Sequence, residues 1–166
     1  MSPRHASTAL HLACRLIPAA LLLWAGWAKV LDRQTAILAV DSYDVLPARL
    51  VQPVAVVLPW LEIAVAILLL LGLFMRFAGA ATAVLAALYI VAMGQAKARG
   101  LPIDCGCFGG GGPGSGVSWW DILRDTPILV AGVFLMLRPR GPLQLDAYFL
   151  EGSHGEPEEV EGAVEG

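Results

Sequence analysis

Four stretches of this chain are apolar over lengths that a bilayer would demand, and short polar or glycine-rich segments separate them. The first runs from about residue 12 to 30, with Arg15 and Lys29 near its ends. The second covers about 51–73 and contains Glu62, and the third, about 77–94, has no charged residue. The fourth, about 119–137, is apolar beyond Asp125. A helix needs roughly 20 apolar residues to cross the hydrocarbon core, so the last two segments are just long enough. One such stretch suits the core of a soluble domain. Four of them within 166 residues predict an all-α, integral membrane four-helix bundle.

The first segment has a second reading as a cleaved signal peptide, because Arg4 and Arg15 precede its apolar run. Ala25-Gly26-Trp27-Ala28 makes a poor cleavage site, with a bulky ring at the boundary, so a spanning helix is expected. His11-Leu12-Ala13-Cys14 is faintly similar to a lipoprotein box, but the apolar run follows Cys14 instead of preceding it. Cys14 reads as a small buried apolar residue. Gly79, Ala83 and Ala87 recur every four residues, a small-residue stripe that lets another helix approach closely. Ala25 and Gly26 offer the same on the first segment. The five tryptophans mostly sit near predicted helix ends, where aromatic rings favour the membrane interface.

Composition supports the membrane reading. Hydrophobic residues make up 57% and charged residues 15%, against about 25% charged in soluble domains. The net charge of −3 is misleading, since seven of the fourteen acids lie after residue 145, the last being Glu165. The body is slightly basic without them, and it contains no basic nucleic-acid patch and no phosphate loop. Residues 139–166 read as a cytoplasmic tail, and 152–166, rich in Gly and Glu, as disordered. Four spans place both termini on one side. Arg4, Arg15, Arg76, Arg138 and Arg140 on that side face Lys29, Arg33, Arg49, Lys97, Arg99 and Arg124 on the other. The positive-inside rule does not decide between these. A paired dithiol fits an oxidising compartment, which predicts cytoplasmic termini in a bacterial cell membrane.

That dithiol lies between the third and fourth segments, in Asp104-Cys105-Gly106-Cys107-Phe108 followed by Gly109 to Gly112. Two cysteines one residue apart close a very small ring, and Gly106 supplies backbone angles that a side chain would resist. Strained disulfides tend to be labile or catalytic. Lys97, Arg99 and Arg124 would lower a thiol pKa and Asp104 would raise it. Three readings stay open: a redox-active pair, a disulfide that staples the loop, and a metal site. The last lacks the further Cys or His that a closed zinc site needs, so no metal is expected. Ser118-Trp119-Trp120-Asp121 reads as a capping box, with a proton-transfer role for Asp121 as the alternative. The box sets a positive helix N-terminus behind the loop, with Arg124 one turn further in.

Glu62 falls near the bilayer centre if its helix spans 51–73, where an acid costs about 2.5–3.5 kcal/mol on insertion scales. Such residues are functional suspects. Pro59 offers another register, because proline suits a first helical turn and would bring Glu62 near the outer surface. An ion pair between Glu62 and Lys29 that fixes two helices stands beside a proton-handling role.

Ala25-Gly26-Trp27-Ala28-Lys29, Leu58-Pro59-Trp60-Leu61-Glu62 and Asp104-Cys105-Gly106-Cys107-Phe108-Gly109, with Ser118 to Asp125 after them, resemble the MauE family. That family is named for methylamine utilisation and lies near the DoxX-like four-helix membrane proteins. The resemblance covers about residues 10–138. It implies a role in maturing or exporting the small subunit of methylamine dehydrogenase, a disulfide-rich periplasmic protein, alongside a thioredoxin-like partner. It also implies that Cys105 and Cys107 are the redox pair, with Lys29 and Glu62 as intramembrane polar residues. Gly106, Asp104, Asp121 and Arg124 would then support the pair. The expected chemistry is thiol–disulfide exchange with an exported protein. The alternative is a non-enzymatic assembly scaffold with a structural disulfide. No cofactor is called for, and a quinone-linked oxidoreductase would need a cavity near Glu62 or the Cys loop.

Overall fold

A computed structural model describes residues 3–103 and 116–138. Among these residues there are five helices and no strand: α1 (Pro3–Leu31), α2 (Arg33–Ser42), α3 (Ala48–Leu71), α4 (Met75–Ala98) and α5 (Trp119–Leu137). Asp104, Cys105, Gly106, Cys107 and the tail expected from residue 139 onward lie outside the described residues.

Three helices are long and apolar enough to cross a membrane: Thr8–Leu31 within α1, α3 and α4, each 24 residues. At 1.5 Å per residue each reaches about 36 Å, enough for a hydrocarbon core of about 30 Å. Helix α5 has 19 residues and carries Asp121, Arg124 and Asp125 in its first two turns, which sets it apart from the other three. Large apolar side chains such as Val57, Ile67, Phe77, Val84, Val91 and Val130 face outward along these helices. Water would penalise such a surface, whereas lipid does not.

Packing is dominated by two pairs, α4 against α5 and α1 against α3. Glycine sets both approaches. A Cβ on Gly79 would lie 2.7 Å from the Met136 nitrogen, and one on Gly132 would lie 2.7 Å from the Ala83 nitrogen. On α1, a Cβ on Gly26 would lie 2.8 Å from an Ile63 side-chain carbon and 2.9 Å from the Pro59 carbonyl oxygen. The small-residue stripe of α4 thus meets α5, and Gly26 of α1 meets α3. Ala19, Leu22, Val65, Leu69, Met75, Leu85 and Leu135 form one core to which α1, α3, α4 and α5 all contribute.

Two features differ from the pattern of four segments. The expected 31–50 loop contains α2. Asp32 starts it, accepting hydrogen bonds from the Thr35 backbone N–H (3.0 Å) and hydroxyl (2.7 Å), and the small residues Ala36 and Ala39 bury it. Helix α3 begins after Pro47 and not at Pro59, so Pro53 and Pro59 both lie inside it and Glu62 sits well within the helix.

The α3–α4 end is closed by a tight turn. Gly72 ends α3 at φ 68°, its N–H bonding back to the last turn, and Phe74 starts α4 at φ 47°. Arg15 of α1 reaches this turn. Its Nε donates to the Leu69 carbonyl (2.6 Å) and an Nη to the Leu70 carbonyl (2.7 Å), so a buried guanidinium serves carbonyls that the helix end leaves over. His11 lies one turn earlier on the same face, with Nε2 3.1 Å from the Arg138 carbonyl oxygen.

Candidate functional site

The other end of the helices gathers most of the chemistry. Lys29, in the last turn of α1, donates from Nζ to Glu62 Oε1 (2.7 Å) and Oε2 (3.0 Å). It also donates to the Tyr89 hydroxyl at 3.0 Å, and Tyr89 in turn donates to Glu62 Oε1. The ammonium sits 4.9 Å from the Tyr89 ring centroid. Three donors on Lys29 thus meet three acceptors, and both Glu62 oxygens are satisfied. Glu62 is fully buried and the Lys29 side chain is 9% exposed.

Local sequence explains how the charges meet. Gly26 precedes Lys29 by three residues and so shares its face. Without a Cβ there, α1 closes onto Pro59 and Ile63 of α3, next to Glu62. Tyr89 completes the cluster from α4. A second buried carboxylate, Asp125 of α5, lies 3.6 Å from Arg124 Nε and within electrostatic reach of Lys29.

A second group of contacts frames the segment that carries the cysteines. Ile103 before it and Val117 after it are buried together against Met93 and Ala96, with Tyr43 and Tyr89 packed alongside. Lys97 Nζ donates to the Val117 carbonyl (2.9 Å) and lies 5.1 Å from the Trp119 ring centroid. Arg99 pairs with Asp44 (2.7 Å) and donates to the Asp44 and Tyr43 carbonyls. Gln95 donates to the same Tyr43 carbonyl at 3.3 Å. The cations that sequence suggested as thiol neighbours are therefore engaged with Val117, Trp119, Asp44 and Asp125.

Ser118 and Asp121 form the capping box of α5: the Trp120 N–H donates to Ser118 Oγ at 3.3 Å and the Ser118 N–H to Asp121 Oδ2 at 2.9 Å. Asp121 thus has a helix-starting role in the geometry. Cys14 is a free cysteine on α1, half-buried and remote from the Lys29 end. Asp32, in the link between α1 and α2, is held below the usual carboxylate range by the Thr35 N–H and hydroxyl. Among the described residues, no group of three or more His, Cys, Asp or Glu is placed to hold a metal ion.

Of the residues singled out from sequence, Lys29 and Glu62 come together, and Asp121 and Arg124 lie on the first turns of α5. Tyr89 and Tyr43 were not anticipated. The available signal for Tyr89 was its place well inside an apolar segment, away from the ends where membrane tyrosines collect.

A family model described as methylamine utilisation protein MauE matches residues 7–138, most of the chain. No curated protein and no solved structure matches it.

Proposed function

The chain belongs to the MauE family, and on that premise we propose that it is a four-span membrane protein that exchanges disulfides with an exported protein. The spans are α1, α3, α4 and α5, within a domain of residues 10–138. The termini and the 139–166 tail face the cytoplasm, and the Cys105-Gly106-Cys107 element faces outward from a bacterial cell membrane. One observation carries the reading. The family match runs through the Cys-Gly-Cys element, and the residues flanking it, Ile103 and Val117, are buried against α4. The segment that carries the dithiol is therefore anchored at both of its flanks.

In the exchange, a thiolate of the pair attacks one sulfur of the partner's disulfide and forms a mixed disulfide, expelling the partner's other sulfur as thiolate. The second cysteine then attacks the mixed disulfide. The partner leaves reduced, and Cys105 and Cys107 become the disulfide. The reverse sequence oxidises a partner dithiol. Family membership points to the methylamine dehydrogenase small subunit, or to a thioredoxin-like protein, as the partner class.

The test is trapping. Of the Cys105→Ser and Cys107→Ser variants, expressed in membranes, the one that lacks the second, resolving cysteine should accumulate a mixed disulfide with an exported protein. The reduction potential of the wild-type pair should fall between about −270 and −120 mV, the range of exchange proteins. A potential below about −300 mV with nothing trapped would leave the assembly-scaffold reading. That second reading draws on the Lys29–Glu62–Tyr89 cluster, which satisfies itself and so suits a purely structural tie between α1, α3 and α4.

A further inference from the structure

Helices α3 and α4 follow one another in the chain yet touch far less than α4 and α5 do. Between them, flanked by α2, lies a groove of about 350 Å³. That volume falls within the range of small-molecule sites, about 300–1,000 Å³. Its walls, including Leu58, Leu88 and Ala92, are almost wholly apolar. Leu88 is 60% exposed, so the groove opens on the apolar outer surface of the helices and a ligand would arrive through lipid.

Two polar features interrupt these walls. Tyr89 lines the groove and carries the hydroxyl that belongs to the Lys29–Glu62 cluster. A separate small cavity of about 40 Å³, which Leu58, Tyr43 and Tyr89 also line, lies beside the groove and is bounded by Lys29. Gln95 is the second feature. Its Nε2 gives one N–H to the Tyr43 carbonyl. The amide has a second N–H and a carbonyl oxygen, with no further partner among the described residues. Tyr43 and Tyr89 also pack against Ile103 and Val117, so the groove abuts the base of the Cys loop. A plain hydrocarbon chain would fill the walls but has no acceptor for the second Gln95 N–H. A neutral molecule with an apolar tail and a carbonyl-bearing ring supplies that acceptor and packs against the Tyr89 ring, whose hydroxyl proton is already given to Glu62.

We propose that this groove binds a lipid-soluble quinone, with the ring between Tyr89 and Gln95 and the tail running out past Leu88. The chemistry rests on the disulfide-exchange reading. The quinone takes two electrons and two protons from the Cys105 and Cys107 thiols; the S–S bond forms and the quinone leaves as quinol. No other reactant is required. The binding site itself consists of α2, the link from α2 to α3, α3 and α4.

Binding is tested apart from thiol chemistry by using full-length protein with Cys105→Ser and Cys107→Ser, held in lipid nanodiscs and titrated calorimetrically with decyl-ubiquinone. Saturable binding is expected. Ala92→Trp, which fills the groove, should weaken it at least about tenfold, as should Leu88→Trp at its exposed rim. Gln95→Leu should weaken it about threefold to tenfold, the worth of one neutral hydrogen bond. Decylbenzene, the same tail without carbonyls, should compete poorly. Absent saturation, equal affinity in both tryptophan variants, or equal competition by decylbenzene would each overturn the site, the last marking a groove for lipid chains. Reduced wild-type protein should also convert decyl-ubiquinone to quinol one for one. Groove-dependent binding without that conversion would overturn the proposed redox step, whereas failure of the exchange reading is read separately by the trapping experiment.

Discussion

Each end of this molecule buries a cation, and the two ends solve the same electrostatic problem differently. Arg15 reaches the C-terminal end of α3 and donates to the Leu69 and Leu70 carbonyls. These two partners are backbone dipoles, which the helix end leaves over in any case. The arginine stays charged at any accessible pH, and the arrangement cannot switch. Lys29 instead meets a carboxylate and a phenol, both supplied by side chains on other helices. That cluster also adjoins a groove and the base of the Cys loop, whereas the Arg15 end adjoins a tight turn. One end is built as a fixed tie, and the other has the parts of a site.

The comparison breaks most visibly at Glu62. Glu62→Leu leaves the Lys29 ammonium buried without a counter-charge, which costs about 3–5 kcal/mol. The double variant Lys29→Met/Glu62→Leu removes both charges and should regain most of that stability. Unfolding in mixed micelles with rising SDS measures both. If the double variant regains stability but not disulfide exchange, the cluster serves function as well as packing. A double variant as unstable as the single one would show that the two residues are not a coupled pair.

Arg15→Met tests the other end and should have a smaller effect, about 1–3 kcal/mol for acceptors left without their donor. The Gly72 and Leu73 N–H groups still bond to the last turn of α3, which limits the damage. Exchange activity in the folded fraction should equal wild type. A selective loss of activity in folded Arg15→Met protein would erase the distinction between the ends.

These ends were unequally legible in the sequence. The long apolar segments stand out because the bilayer sets their length, and Lys29 and Glu62 stand out because charges inside such segments are rare. Their pairing was one of two open readings, since spacing along the chain says nothing about which helices touch. Tyr89 was missed because tyrosine in a membrane segment ordinarily marks an interface. Arg15 read as a flanking charge, yet its partners lie 54 and 55 residues away. Helix α2 was missed because its Arg33–Ser42 sequence is only weakly apolar and its helical state depends on the Asp32 cap and on packing against α3. The cysteine pair was the plainest signal in the sequence, and it lies outside the described residues.

Tyr89→Phe is a finer probe of the Lys29 end. It deletes the hydroxyl that donates to Glu62 and accepts from Lys29 while keeping the ring. Polar contacts between membrane helices average about 0.6 kcal/mol and reach about 1.7, so a loss of about 1 kcal/mol is expected by the same SDS titration. The ring that lines the groove is kept and the hydroxyl proton already belongs to Glu62, so decyl-ubiquinone binding by the folded variant should stay near that of the wild type. Binding that weakens by more than any loss of folded protein explains would show that the hydroxyl serves the groove as well as the cluster.

The smallest effect belongs to a carboxylate just beyond the Lys29 end, and it provides a solvent-exposed control for the buried one. Asp32 accepts from the Thr35 N–H and hydroxyl, which holds its pKa below the usual value. A group whose folded pKa is depressed adds stability above its unfolded pKa, and that stability is lost as pH falls through the folded value. The start of α2 should therefore be firm at neutral pH and fray only in acid, below the unfolded Asp pKa of about 3.9. The Thr35 amide resonance reports this directly: in the wild type it should titrate with an apparent pKa below that value, and in Asp32→Asn it should be flat. A Thr35 amide that ignores pH in the wild type would remove the cap from Asp32 and leave α2 held by its packing against α3 alone.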